Sequence, residues 1–340
     1  MDGVARLEHG ERELLFQQVA AKRGLLDTVI EKDFWVCWCL KCLFNLPDGH
    51  PPLLFKGGTS LSKAYGLISR FSEDIDLSLD RHALGFEGEK DPLNAPSRGE
   101  ARRLIGQLAE ACEGFIAQEL LPRLQETFRE IIAEESKTGW SLRVSEEDAQ
   151  TLLFSYPSGS QTVDREPAYL APVIRMELGA RSDHWPVLNN PVQPYAAEDF
   201  PDYFEEDQCN VRTLAPERTF WEKATILHME WHRRMPKPVR LSRHYYDLVM
   251  LRRSEVHETA LEQIDLLEKV AAHKEAFYYA AWARYDEARV GSLRLVPHDD
   301  LAEALRRDHE DMREMFFEEP PTFEEIMGEL EALEHEINSA

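Results

Sequence analysis

The sequence predicts an α/β fold, with a mixed sheet core over residues 1–215 and a helical C-terminal half over 216–340. Three observations carry this. An apolar strand run, Leu53-Leu54-Phe55, meets a glycine pair and is followed within 25 residues by a short helix and a second strand. Further strand-like runs stand at 151–156, 170–178 and 211–214. Beyond Pro216, which suits the first turn of a helix, the apolar residues recur at helical spacing almost to the end.

The elements follow in chain order. Residues 11–24 and 30–46 read as helices packed on the core. Residues 52–80 form the strand–helix–strand unit, in which Leu61, Tyr65 and Ile68 would bury the helix against the sheet. A loop rich in Gly, Pro and charge covers 85–99. The stretch 99–136 is helical by the spacing of Leu104, Leu108, Phe115, Ile116, Leu120, Leu124 and Phe128. Residues 185–207, rich in Pro, Asn and acids, read as a surface loop. Helices are expected at 216–235, 243–253, 255–289, 299–316 and 322–337, and the tail after Pro320-Pro321 is acidic. No internal repeat is present.

Composition sets bounds on partners and compartment. The 340 residues suffice for two domains. No run of about 18 apolar residues predicts a membrane span, and the charged stretch Met1–Arg12 does not read as a secretory signal. Five cysteines, an odd number, point to reduced thiols and a cytoplasmic protein. Cys37, Cys39 and Cys42 lie in an apolar helix and read as buried thiols rather than zinc ligands, since no second Cys or His pair at finger spacing accompanies them. The net charge of −24 opposes nucleic acid at long range. Residues 217–253 depart from that balance, with nine Lys or Arg against four acids. Tracking of substrate phosphates by this stretch, through Arg233, Arg234 and Lys237, is one expectation; a solvated helix and loop is the other.

The candidate chemistry centres on 55–79. Strand side chains alternate, so Asp74 and Asp76 share one face and Ile75, Leu77 and Leu79 the other. Mg²⁺ favours one or two carboxylates together with substrate phosphates. Gly57 and Gly58 let the backbone approach a phosphate, where helix-start N–H groups point. Thr59 or Ser60 can cap the helix or touch a phosphate oxygen, and Ser72 can do the latter or shape the turn. Arg70 reads as a brace for the loop; Lys63, one turn into the helix, can approach phosphate, with a solvated face as the favoured reading. Glu177, in the strand Pro172–Leu178, is the candidate third carboxylate, with a solvent-facing strand residue as its plain alternative.

Lys56-Gly57-Gly58-Thr59-Ser60-Leu61 and Arg70-Phe71-Ser72-Glu73-Asp74-Ile75-Asp76-Leu77 resemble the first two motifs of the AbiEii/AbiGii toxin family, which includes the MenT toxins of mycobacteria. Glu217–Lys223 resembles the third, with its lysine at Lys223, and His244–Leu248 the fourth, with its aspartate at Asp247. The resemblance implies a nucleotidyltransferase-fold core and a toxin of a toxin–antitoxin or phage-defence system. It implies transfer of a nucleotide from an NTP, with Mg²⁺, to the 3′ end of tRNA, and a cognate antitoxin as partner. It also implies nucleotide contacts from Lys56 to Ser60 and catalytic roles for Asp74, Asp76, Lys223 and Asp247.

Residue spacing adds to this for two positions. Lys223 flanks the apolar stripe Phe220, Ala224, Leu227 and Trp231, with His228 and His232 on the other flank. It can therefore reach from a buried helix edge, or snorkel on a surface helix. Asp247 can orient Lys223, or pair with Arg243 or Arg252. Transfer to a protein side chain and a non-catalytic partner-binding module are the competing readings.

Overall fold

The computed structural model describes residues 1–46, 52–72, 74–132, 139–158, 171–233 and 239–340. These form two compact units. The first comprises Met1–Ala64, Ser72–Phe86 and Gly106–Thr213; the second comprises Tyr65–Phe71, Glu87–Ile105 and Leu214–Ala340.

The first unit is built on a seven-stranded mixed sheet in the order β3-β4-β5-β2-β1-β7-β6. Its strands are β1 (Leu53–Lys56), β2 (Ile75–Leu79), β3 (Ser141–Val144), β4 (Thr151–Ser155), β5 (Val173–Gly179), β6 (Val187–Val192) and β7 (Cys209–Leu214). β1 runs antiparallel to β2 and parallel to β7, while β2 runs parallel to β5. β4 runs antiparallel to both of its neighbours, β3 and β5. Helices of this unit include α1 (Asp2–Arg6), α2 (His9–Arg23), α3 (Asp27–Phe44), α4 (Gly57–Lys63), the part of α5 (Arg98–Phe115) from Gly106 onward and, after one π turn, α6 (Leu121–Ile131).

The core of this unit is aromatic. Trp38 of α3 lies 4.5 Å from Phe128 of α6, ring centre to ring centre, and Phe128 lies 4.8 Å from Phe154 of β4. Tilted and edge-on contacts of this kind each add about 0.5–1.5 kcal/mol to the burial itself. The α3 cysteines Cys37, Cys39 and Cys42 are buried free thiols in the same helix.

Two expectations are corrected here. Residues 185–207 are not simply a surface loop. They contain β6 and a short helix, α7 (Tyr195–Asp199). β6 carries Pro191 and pairs on one side only, where the Asn190 amide donates to the Thr213 hydroxyl at 2.6 Å. An edge strand tolerates both the proline and the polar residues. Lys63 is not solvated either: its ammonium lies 2.6 Å from the buried Asp33 carboxylate and 3.8 Å from the centre of the Tyr195 ring. Burial alone would lower its pKa, but Asp33 outweighs burial and raises it.

The second unit is helical: α8 (Pro216–Trp231), α9 (Ser242–Arg252), α10 (Val256–Glu262), α11 (Asp265–Phe277), α12 (Asp299–Asp311) and α13 (Phe323–Ser339). α13 opens with a capping box in which Thr322 and Glu325 satisfy each other's backbone N–H groups. The expected helix over 255–289 is instead two helices and an irregular connection that holds one 3₁₀ turn, Tyr285–Glu287. No helix among the described residues is long and apolar enough to cross a membrane.

Candidate active site

The first unit brings the glycine turn and the acidic strand together. β1 ends at Lys56, and Gly57 turns the chain with φ +78°, a conformation that side chains disfavour. A Cβ on Gly57 would stand 1.9 Å from one Asp76 carboxylate oxygen and 2.9 Å from the Asp76 Cβ. The Asp76 carboxylate therefore lies directly against the backbone of the turn. Gly57→Ala is accordingly expected to cost about 1–2 kcal/mol for the left-handed backbone alone, and to displace Asp76 as well. The midpoint of denaturant unfolding should fall, and an alanine variant as stable as wild type would contradict this geometry.

The hydroxyls near the turn bond inward. The buried Thr59 hydroxyl is 2.9 Å from that of Ser72 and within bonding reach of the Ser72 and Asp74 carbonyls. It ties the start of α4 to the loop that enters β2. The Ser60 hydroxyl donates to the Gly57 carbonyl at 2.9 Å. Neither residue is the helix cap, a position held by Lys56. Thr59, Ser60 and Ser72 thus fix the shape of the cradle.

Strand register aligns the charges. Lys56 of β1, Asp76 of β2, Glu177 of β5 and Thr151 of β4 form one row across four strands, and residues paired in register project on the same face. Asp74 lies two residues before Asp76, on the far side of the buried Ile75. Glu177 is exposed, with the Arg175 guanidinium 3.9 Å away. Among the described residues no three His, Cys, Asp or Glu side chains converge as a metal cluster. In the first unit Asp76 stands in register with Glu177, and Asp74 precedes β2 by one residue. Two carboxylates and a glycine cradle fit Mg²⁺, which keeps waters and takes up substrate phosphates as further ligands.

The second unit holds a separate charged cluster. Arg70 reaches Asp247 through two guanidinium nitrogens, at 2.8 and 2.9 Å. The Lys223 ammonium donates to the same carboxylate at 2.8 Å and to Nδ1 of His244 at 3.0 Å. Asp247 is fully buried, and Arg70 and Lys223 nearly so. Burial would raise the Asp247 pKa, but Arg70 and Lys223 outweigh it and hold the carboxyl far below the usual range. Burial lowers Lys223, with Asp247 opposing and Arg70 reinforcing. His244 is held well below its ordinary value by burial and by Lys223; since an ammonium can only donate, Nδ1 is the acceptor in their contact. The segment that delivers Arg70 is pinned on both sides. The Phe71 N–H donates to the Met315 carbonyl at 2.6 Å, and the Phe317 N–H donates to the Ser69 carbonyl at 3.1 Å.

The family model of the AbiEii nucleotidyl transferase toxins, described as a type IV toxin–antitoxin system, matches residues 38–329. The chain belongs to the AbiEii family. Its membership makes it a nucleotidyltransferase toxin, with an NTP as substrate and an antitoxin as counterpart. The chain is also similar to the solved structure of MenT4, a nucleotidyltransferase toxin from Mycobacterium tuberculosis H37Rv. The two share 16% identity and a TM-score of 0.47, over 95% of this chain and 98% of that one. None of the curated proteins gives a significant match.

In this AbiEii toxin the arginine that pairs with Asp247, beside Lys223, is Arg70 and not the local Arg243 or Arg252; Arg252 instead reaches Glu329 at 3.3 Å. Among the described residues, Arg218 pairs with Glu222 and Arg233 with Glu230 inside the basic stretch, and Arg253 pairs with Glu329 outside it. Arg234 and Lys237 lie outside the described residues. His228 is a buried core histidine, with Nε2 donating to the Arg284 carbonyl and Nδ1 accepting from the Arg294 N–H. Its pKa falls to about 4, chiefly through burial. Sequence reasoning missed His244, although it opens the fourth motif, and gave Arg70 only a bracing role in its own loop. Helical spacing offered a clue to the first, since His244 stands one turn before Asp247.

Proposed function

We propose that the chain transfers a nucleoside monophosphate from an NTP to the 3′ end of tRNA in the cytoplasm and so blocks translation. The observation that supports this best is the Asp76 carboxylate against the Gly57 turn, with Asp74 two residues before it. Bound Mg²⁺ would supply charge neutralisation on the triphosphate and on the attacking oxygen. Asp74 and Asp76 hold it, and Glu177 is the third carboxylate in line. The backbone of Gly57 and Gly58 admits the phosphates, beside Lys56, while Thr59, Ser60 and Ser72 keep the turn in shape. Lys223 acts as a point cation for the phosphate charge, and Asp247 keeps it ionised and oriented. A 3′ hydroxyl attacks the α-phosphorus and releases its proton to solvent, the bond from that phosphorus to the oxygen bridging the α- and β-phosphates breaks, and pyrophosphate leaves with those electrons. Catalysis on this reading is alignment and electrostatic stabilisation.

The test uses each of the four NTPs, labelled at the α-phosphorus, with total tRNA and Mg²⁺. Label on tRNA is expected with wild type, and Lys223→Met is expected to lower it about 100-fold or more. Label on a protein instead of RNA, or none at all, would overturn the tRNA assignment.

A further inference from the structure

Two aromatic side chains of the second unit carry guanidinium groups on their rings and still reach solvent. They lie three positions apart in the connection after α11. Tyr279 is 45% exposed, and the Arg98 guanidinium carbon sits 4.1 Å from its ring centre. Trp282 is 39% exposed, and that of Arg233 sits 4.3 Å from its ring. Both guanidiniums are anchored. Arg98 donates to Glu275 at 3.0 Å and to the Tyr279 hydroxyl at 2.6 Å. Arg233 donates to both oxygens of the nearly buried Glu230, at 2.7 and 2.8 Å. Tyr278, the residue before Tyr279 in sequence, is also 45% exposed.

We infer that this arginine-backed aromatic patch is a stacking platform for unpaired bases of the acceptor RNA, an inference that rests on the RNA-transfer reading above. The chemistry favours single strands. Unstacked bases lie on aromatic rings and on guanidinium planes, and every base offers a π face. The arrangement also suits a chain of net charge −24. Glu275 and Glu230 offset the charges of Arg98 and Arg233, so affinity would come from stacking and little from counterion release. A duplex, whose bases are already stacked, has nothing to offer such a surface.

The experiment measures binding of a fluorescent single-stranded RNA oligonucleotide to the full chain by anisotropy, without NTP. Trp282→Ala and Tyr279→Ala are each expected to weaken binding about 5- to 100-fold, and Trp282→Phe to restore most of it. Raising salt from 50 to 200 mM should weaken wild-type binding by less than about tenfold, as for one or two phosphate contacts. Wild-type affinity in both alanine variants, or equal affinity for a duplex of the same sequence, would overturn the inference. So would variants that bind RNA normally but lose self-association, since the patch would then be a protein interface. Binding is read without catalysis, so the two readings fail separately. A chain that binds oligonucleotide through these residues but labels no RNA refutes transfer alone, and one that labels tRNA equally well in the variants refutes the platform alone.

Discussion

Asp247→Ala is expected to destabilise the second unit by about 3–5 kcal/mol, because it leaves two buried cations sharing no counter-charge. Arg70 and Lys223 have side chains 2% and 8% exposed, so water cannot replace the carboxylate. Urea or thermal unfolding measures this, and a loss under about 1 kcal/mol would contradict the cluster as described. Combining Asp247→Leu with Arg70→Met and Lys223→Met should restore much of the stability, since apolar groups of similar volume often replace a buried ionic set at little cost. Activity should stay lost in the triple variant, which separates the structural role from the chemical one.

The pH dependence of the same cluster has a definite sign. The Asp247 pKa is lowered in the folded chain from the ordinary 3.8. As pH falls, the unfolded chain therefore takes up this proton first. The stabilisation is complete above about pH 4–5 and declines as acid is added below that range. Unfolding followed against pH should show a shallower acid limb in the triple variant than in wild type.

Asp76→Asn is expected to abolish nucleotide transfer, with a fall of at least about 100- to 1,000-fold, while leaving stability within about 1 kcal/mol of wild type. Asparagine preserves the shape that Gly57 accommodates but removes the negative charge, and with it the affinity for a hard divalent cation. Calorimetric titration with Mg²⁺ and an NTP should show the loss of coupled binding. An Asn variant that turns over NTP at the wild-type rate would remove Asp76 from the chemistry.

The strands found in the sequence and those missed divide on a physical line. The runs at 53–55, 74–79, 151–156, 170–178 and 211–214 correspond to β1, β2, β4, β5 and β7, all interior to the sheet. Interior strands must be apolar on the covered face, and that leaves a signal. The two edge strands, β3 and β6, escaped for different reasons: Ser141-Leu142-Arg143-Val144 alternates but is only four residues long, and Val187–Val192 is interrupted by Asn189, Asn190 and Pro191, which an edge strand tolerates. The site divides in the same way. Gly57, Asp74 and Asp76 are local in sequence and were legible as a pattern. The salt bridge of Arg70 with Asp247 spans 177 positions, and that of Lys63 with Asp33 joins separate helices. No spacing rule reports such pairs, because long-range contacts are chosen by the fold.

The chain returns to each unit more than once, since Tyr65–Phe71 and Glu87–Ile105 count with the helical half although they fall among the strands in sequence. The segment that brings Arg70 to Asp247 is therefore also the tether joining the glycine helix to the aspartate strand. No single cut in the gene yields either half intact. Residues 216–340 expressed alone would lack Arg70 and leave Asp247 with Lys223 as its cationic partner.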